Sequence, residues 1–141
     1  MMIKEIFAIG VMSGTSLDGV DLVYVKFDDN NYQDFRILQS QTVGYSSVWK
    51  VLLQNAIHSS TKELEDLDII YGKYLGEIIN DFVDNHKIKN IDFIASHGHT
   101  ILHQPENGIT LQIGNGQTIA TITKQKVVCD FRTQDVKLGG Q

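Results

Sequence analysis

Ser13, Thr15, Ser16, Asp18 and Asp21 crowd into one short string, Ile9-Gly10-Val11-Met12-Ser13-Gly14-Thr15-Ser16-Leu17-Asp18-Gly19-Val20-Asp21. Gly10, Gly14 and Gly19 let the main chain bend and come close to a ligand. Backbone N–H groups exposed in such a turn form a concavity for an anion. The three hydroxyls add donors. Asp18 and Asp21 would repel a bare phosphate, so their presence points to a divalent cation or to proton transfer. The same residue types also suit an ordinary hairpin turn. The string is not a P-loop, because the spacing fails and no lysine follows a glycine before Ser or Thr.

A second group is Ser96-His97-Gly98-His99-Thr100, with His103 close behind. His-x-His can ligate one zinc ion when both rings share a strand face. No cysteine or acidic ligand lies at tight spacing, so loop histidines making hydrogen bonds are favoured over zinc. Thr110 and Gln112 alternate with Leu111 and Ile113, which gives that segment one polar face. A third group is Asp130-Phe131-Arg132, followed by Asp135. Arg132 suits a carboxylate ligand held by two parallel hydrogen bonds, or an ion pair with Asp130 or Asp135.

Two apolar runs flank the glycine-rich string and predict strands at about 5–11 and 19–27, joined by the turn. Both are apolar on both faces, which predicts central strands covered on two sides. A polar turn at 28–31 and a strand at 35–43 complete an antiparallel meander. Ser46 and Ser47 read as an N-cap region for a helix ending near His58, with Val48, Leu52, Leu53 and Ile57 inward. A long helix is expected from about Thr61 to Asn85, its apolar stripe formed by Leu64, Leu67, Tyr71, Tyr74, Leu75, Ile78 and Phe82. Packing on the sheet is favoured for that stripe over a partner-binding face. Tyr71 and Tyr74 are expected at the core edge and Trp49 over the sheet. Residues 91–95 predict a short buried strand, ending in a polar loop at 96–100. Residues 101–103 and 108–113 read as a hairpin with its turn at 105–108. A helix at 118–124 and a strand at 126–130 close the order.

The 141 residues suffice for one domain with a core. A hydrophobic content of 42% and a charged content of 21% are ordinary for a globular protein. The net charge is −5 with no basic patch, which argues against nucleic acid as a partner. The single cysteine, Cys129, lies in an apolar run and reads as a buried reduced thiol, the usual state in the cytoplasm. No signal peptide is evident, and no run approaches the ~20 apolar residues of a membrane span.

Taken together, Val11-Met12-Ser13 with Gly14-Thr15-Ser16-Leu17-Asp18-Gly19-Val20-Asp21 resembles the nucleotide-binding signature of anhydro-N-acetylmuramic acid kinases. Ser96 to Thr100 with Thr110-Leu111-Gln112-Ile113-Gly114, and Asp130-Phe131-Arg132 with Asp135 and Gly139-Gly140-Gln141, resemble two further motifs of that family, in the same order. The resemblance implies an α/β fold of the actin, hexokinase and heat-shock chaperone ATPase superfamily: a mixed, five-stranded-type sheet with flanking helices, ribonuclease H-like. It implies ATP and Mg²⁺ as cofactors. Gly14, Thr15, Ser16, Leu17, Asp18, Gly19, Val20 and Asp21 would bind ATP, with Asp18 at the metal. Ser13, His97, Gly98, Gln112, Asp130 and Arg132 would bind the amino sugar, Arg132 through its lactyl carboxylate.

Most relatives carry Gln where this chain has His99; either side chain can donate and accept. The implied reaction is hydrolytic opening of 1,6-anhydro-N-acetylmuramic acid coupled to phosphorylation at O6, in cell-wall recycling in the cytoplasm, with a homodimer as a candidate assembly. The family's aspartate base is expected downstream of Gln141, so the chain reads as the N-terminal lobe of a two-lobed kinase, inactive alone. A non-catalytic nucleotide- or sugar-binding module is the alternative. A different sugar kinase is disfavoured, because the usual superfamily loop has Asp-x-Gly-Thr order.

Overall fold

The computed structural model describes residues 4–13, 17–104 and 109–129. Three strands lead: β1 (Glu5–Ser13), β2 (Gly19–Asp28) and β3 (Asn31–Gly44). Helix α1 (Ser47–Asn55), a 3₁₀ turn (Ala56–His58) and helix α2 (Thr61–Asn85) follow. Then come β4 (Phe93–Gln104), β5 (Ile109–Ile113), helix α3 (Gly116–Thr123) and β6 (Val127–Val128). The sheet order is β3-β2-β1-β4-β5, with β6 also paired to β4. β1, β2 and β3 form the expected antiparallel meander, while β4 joins β1 in parallel. The fold is therefore the expected α/β arrangement on a mixed sheet.

Local chemistry accounts for the helix boundaries. Ser60 caps α2 by accepting from the Glu63 N–H at 3.2 Å, and the Glu63 side chain accepts from the Ser60 N–H at 2.9 Å. This is a capping box, and it names Ser60 as N-cap one residue before the expected start. The helix ends where Lys87 turns left-handed (φ 52°) and Ile88 N–H donates back to the Val83 carbonyl at 3.0 Å. Leu67, Tyr71, Leu75, Ile78 and Phe82 form its buried stripe, with Ile79 added. They pack on Ile9, Val11, Val20, Leu22 and Tyr24 of the sheet. The apolar burial of these side chains is the main stabilising term of the domain.

Several expectations change. Tyr71 is fully buried at 0% exposure, not at the core edge. In α1 only Leu53 is buried, whereas Val48 and Leu52 stay exposed, as does Ile57 in the 3₁₀ turn, where Ala56 takes the buried position. Residues 96–100 are not a loop: β4 runs straight through them. Among the described residues, α1, α2 and α3 leave one sheet face bare. Gly10, Met12, Val23 and Ala95 lie on that face, with Met12 51% exposed. The expectation of strands covered on both sides holds only for the helix side.

α3 packs against α2 through two glycines. A Cβ at Gly72 would meet the Asn115 carbonyl oxygen at 3.0 Å, and one at Gly76 would meet Ile122 Cγ2 at 2.8 Å. Asp68 of α2 fixes the turn entering α3, accepting from Gly114 N–H at 2.9 Å and from Asn115 Nδ2 at 3.1 Å.

Candidate functional site

The glycine-rich string sits where β1 ends and β2 begins, at the edge of the helix-covered face. Gly14, Thr15 and Ser16 lie outside the described residues, as do Asp130 and Arg132. The turn's exit is defined. Leu17 has φ 60°, a left-handed conformation for a side-chain-bearing residue. Gly19 has φ 153°, and a Cβ there would fall 2.3 Å from the Val43 carbonyl oxygen, so only glycine lets β2 start against β3. Val20 is fully buried at the start of β2.

Asp18 and Asp21 are both exposed. Asp21 accepts a 2.6 Å hydrogen bond from Thr42 Oγ1 across the strand pair. That leaves Asp18 as the carboxylate at the turn itself. Among the described residues no group of three or more His, Cys, Asp and Glu side chains converges. A magnesium ion held by one carboxylate, nucleotide phosphates and water needs no such cluster. Asp18 alone could therefore serve as the protein's carboxylate for such an ion.

His97 and His99 part company because of Gly98. Gly98 is left-handed (φ 71°), and a Cβ there would lie 2.3 Å from the Ile113 carbonyl oxygen. Val11 pairs with Ser96 but Ser13 pairs with His99, so β4 carries one extra residue as a bulge. Strict alternation would put His97 and His99 on the same face. The bulge instead turns His99 into the helix-covered core and leaves His97 on the bare face. A shared His-x-His metal site is thereby broken up.

His97 borders a cavity of about 370 Å³ with Gly10, Val11, Met12, Asp21, Val23 and Ala95. It also borders a smaller polar cavity of about 70 Å³ with Ser96, Gly98, Gln112 and Asn115 among others. Gln112 Nε2 donates to the His97 carbonyl at 2.9 Å and to Thr100 Oγ1 at 3.2 Å. Its amide braces the bulge from β5. Ser96 Oγ, 1% exposed, is the one buried side-chain oxygen or nitrogen without a partner among the described residues.

Ser13, expected at the substrate, turns its hydroxyl inward at 2% exposure. It hydrogen-bonds the Tyr45 hydroxyl and His99 Nδ1, the latter at 3.0 Å. Tyr45 hydroxyl lies 2.5 Å from that of Tyr71. Burial raises the pKa of Tyr71, and the neighbouring Tyr45 adds to it, so this phenol stays protonated. Burial likewise lowers the pKa of His99, favouring the neutral ring. Trp49 and Tyr74 pack beside this group with tilted rings, their centres 4.7 Å apart. Sequence reading missed Tyr45 and Tyr71 as parts of the site. The signal available was Gly98 between two polar residues in an apolar strand, which marks a bulge.

The family model described as anhydro-N-acetylmuramic acid kinase matches residues 6–141. An anhydro-N-acetylmuramic acid kinase of Shewanella baltica is 41% identical over 145 residues, covering 98% of this chain and 38% of its own length. Those of Colwellia psychrerythraea and Sulfurimonas denitrificans are 38% and 36% identical, each covering 96% of this chain. The chain spans 36% and 38% of the length of those two relatives. A match over residues 6–141 makes the chain a member of the anhydro-N-acetylmuramic acid kinase family.

Proposed function

We propose that residues 1–141 form the N-terminal lobe of a two-lobed cytoplasmic sugar kinase, which converts 1,6-anhydro-N-acetylmuramic acid to N-acetylmuramic acid 6-phosphate at the expense of ATP. The observation that carries this reading is the glycine turn, whose hydroxyl, glycine and Asp18 chemistry lies inside a family match spanning nearly the whole chain. Backbone groups of Gly14, Thr15, Ser16 and Gly19 would hold the phosphates, and Asp18 would hold the Mg²⁺. The ion neutralises phosphate charge when bound. Water adds to the anomeric carbon, the bond from that carbon to O6 breaks, and O6 takes the γ-phosphoryl group as ADP leaves.

His97, Gly98 and Gln112 face the sugar from β4 and β5, with Asp130 and Arg132 contributing further contacts. Arg132 takes the lactyl carboxylate. Ser13 shapes the site from beneath, since its hydroxyl is engaged in the core. The general base belongs to the part of the kinase beyond these residues, so the 141-residue chain does not turn over substrate alone.

The test uses the full-length protein with Mg-ATP and the anhydro sugar in ¹⁸O-water. A phosphorylated product carrying one solvent oxygen is expected. A phosphorylated product without solvent oxygen refutes coupled hydrolysis, and no phosphorylated product refutes the kinase reading.

A further inference from the structure

Cys129, expected to be buried, is only half-buried. It follows β6 directly, and β6 runs parallel to β4 with Ile94 beside Val127 and Ala95 beside Val128. Carried one position further, that register sets Cys129 beside Ser96. Neighbouring strands lie about 4.8 Å apart, so side chains on one face of such a pair are close. Both residues line the polar cavity of about 70 Å³, together with Asp68, Gly98, Asn115 and Gly116. The Ser96 hydroxyl, 1% exposed, has no hydrogen-bond partner among the described residues. A buried hydroxyl left unpaired is costly, and the cavity beside it is where an acceptor can stand.

The sulfur also meets the start of α3. A Cβ at Gly116, the first residue of that helix, would fall 2.3 Å from Cys129 Sγ, so glycine is what lets the sulfur come this near. Asn115 caps α3, its Oδ1 accepting from Thr118 N–H at 2.9 Å and its carbonyl from Ile119 N–H at 3.1 Å. The Gly116 and Gln117 N–H groups have no acceptor within the helix. This end of a helix favours negative charge, including that of a sulfur anion. The Asp68 carboxylate at the cavity is already engaged, accepting from Gly114 N–H and Asn115 Nδ2.

We infer that Cys129 is a site of oxidation by hydrogen peroxide, and that the sulfenate it forms is held in this cavity by the Ser96 hydroxyl. The thiolate sulfur attacks one peroxide oxygen. An S–O bond forms, the O–O bond breaks, and the departing hydroxide takes up the proton the thiol gave, leaving as water. Sulfur loses two electrons and the peroxide gains them. The new oxygen accepts from Ser96 Oγ, which donates to nothing before the reaction. One water needs about 10–15 Å³ of such space, so the cavity has room for a two-oxygen peroxide. The inference stands apart from the kinase reading, because no step in it involves nucleotide or sugar.

The experiment exposes the full-length protein to hydrogen peroxide and removes the peroxide with catalase. Samples are then denatured in dimedone, and the Cys129 peptide is followed by mass spectrometry. The sulfenate adduct is expected to appear about tenfold faster in folded protein than in protein unfolded in urea, because only the folded chain places the sulfur at the helix end. Ser96→Ala is expected to shorten the sulfenate lifetime about tenfold, the scale of one hydrogen bond to a charged group. The same substitution removes a hydroxyl that bonds nothing, so the melting temperature is not expected to fall.

This combination separates the reading from a serine that only supports the fold or only holds water. A sulfenate that forms no faster than in the unfolded chain overturns the inference. So does an equal lifetime in the Ser96→Ala and wild-type proteins. A melting temperature that drops together with the lifetime assigns the loss to the fold and overturns the role of Ser96.

Discussion

Tyr45→Phe and Tyr71→Phe have unequal expected costs, because Tyr45 bonds both Ser13 and Tyr71. Neither change alters shape by more than one oxygen, so cavity terms are small. Tyr71→Phe removes the bond between the Tyr45 and Tyr71 hydroxyls, a loss of about 1 kcal/mol. Tyr45→Phe removes that bond and the one to Ser13, a loss of about 2 kcal/mol. Urea unfolding reads them, with Trp49, whose ring centre lies 5.5 Å from that of Tyr71, as the fluorescent reporter. With a slope of about 2 kcal/mol per molar, the midpoint falls by about 0.5 M for Tyr71→Phe and about 1 M for Tyr45→Phe. Equal shifts, or a larger one for Tyr71→Phe, would refute the reasoning.

Acid should weaken the wild-type fold more than the His99→Gln fold. Burial lowers the His99 pKa below its ordinary value of 6.5, so the unfolded chain binds the proton more readily. The stability this histidine contributes is complete above 6.5 and is lost as the pH falls from there to the lowered folded value. The difference between the two unfolding curves against pH checks it; parallel curves refute it. Gly98→Ala combines a left-handed backbone, about 1–2 kcal/mol for a side-chain-bearing residue, with a Cβ 2.3 Å from a carbonyl oxygen. It is expected to cost more than that backbone term alone in denaturant, and to abolish sugar binding in calorimetry of the full-length protein. Gly76→Ala pits a helix-propensity gain of about 1 kcal/mol against overpacking on Ile122 of about 1–3 kcal/mol. A net loss of melting temperature is expected. Ser60→Ala removes the capping box of α2 and should cost about 1 kcal/mol in urea unfolding, without changing any KM of the full-length protein.

The sequence by itself determined the elements whose causes are local. Alternating and continuous apolar runs marked β1 and β2, and the Leu67 to Phe82 stripe marked α2 to within a residue, because side-chain period and capping are written within one helix or strand. That β1 turns back into β2 was legible for the same reason: two apolar runs flank one short polar string. Tertiary structure alone decided the faces. Whether His97 or His99 looks outward depends on one extra residue in β4, and that bulge is set by pairing with β1, far away in sequence. It also decided that Ser13 looks inward, because its partner Tyr45 lies 32 residues away, and Tyr71, which bonds Tyr45, a further 26. No local pattern encodes a contact that exists only once the sheet and α2 have closed on each other. The bare face of the sheet follows from the same cause. An apolar strand states that it can be covered, and only the placement of the helices states on which side.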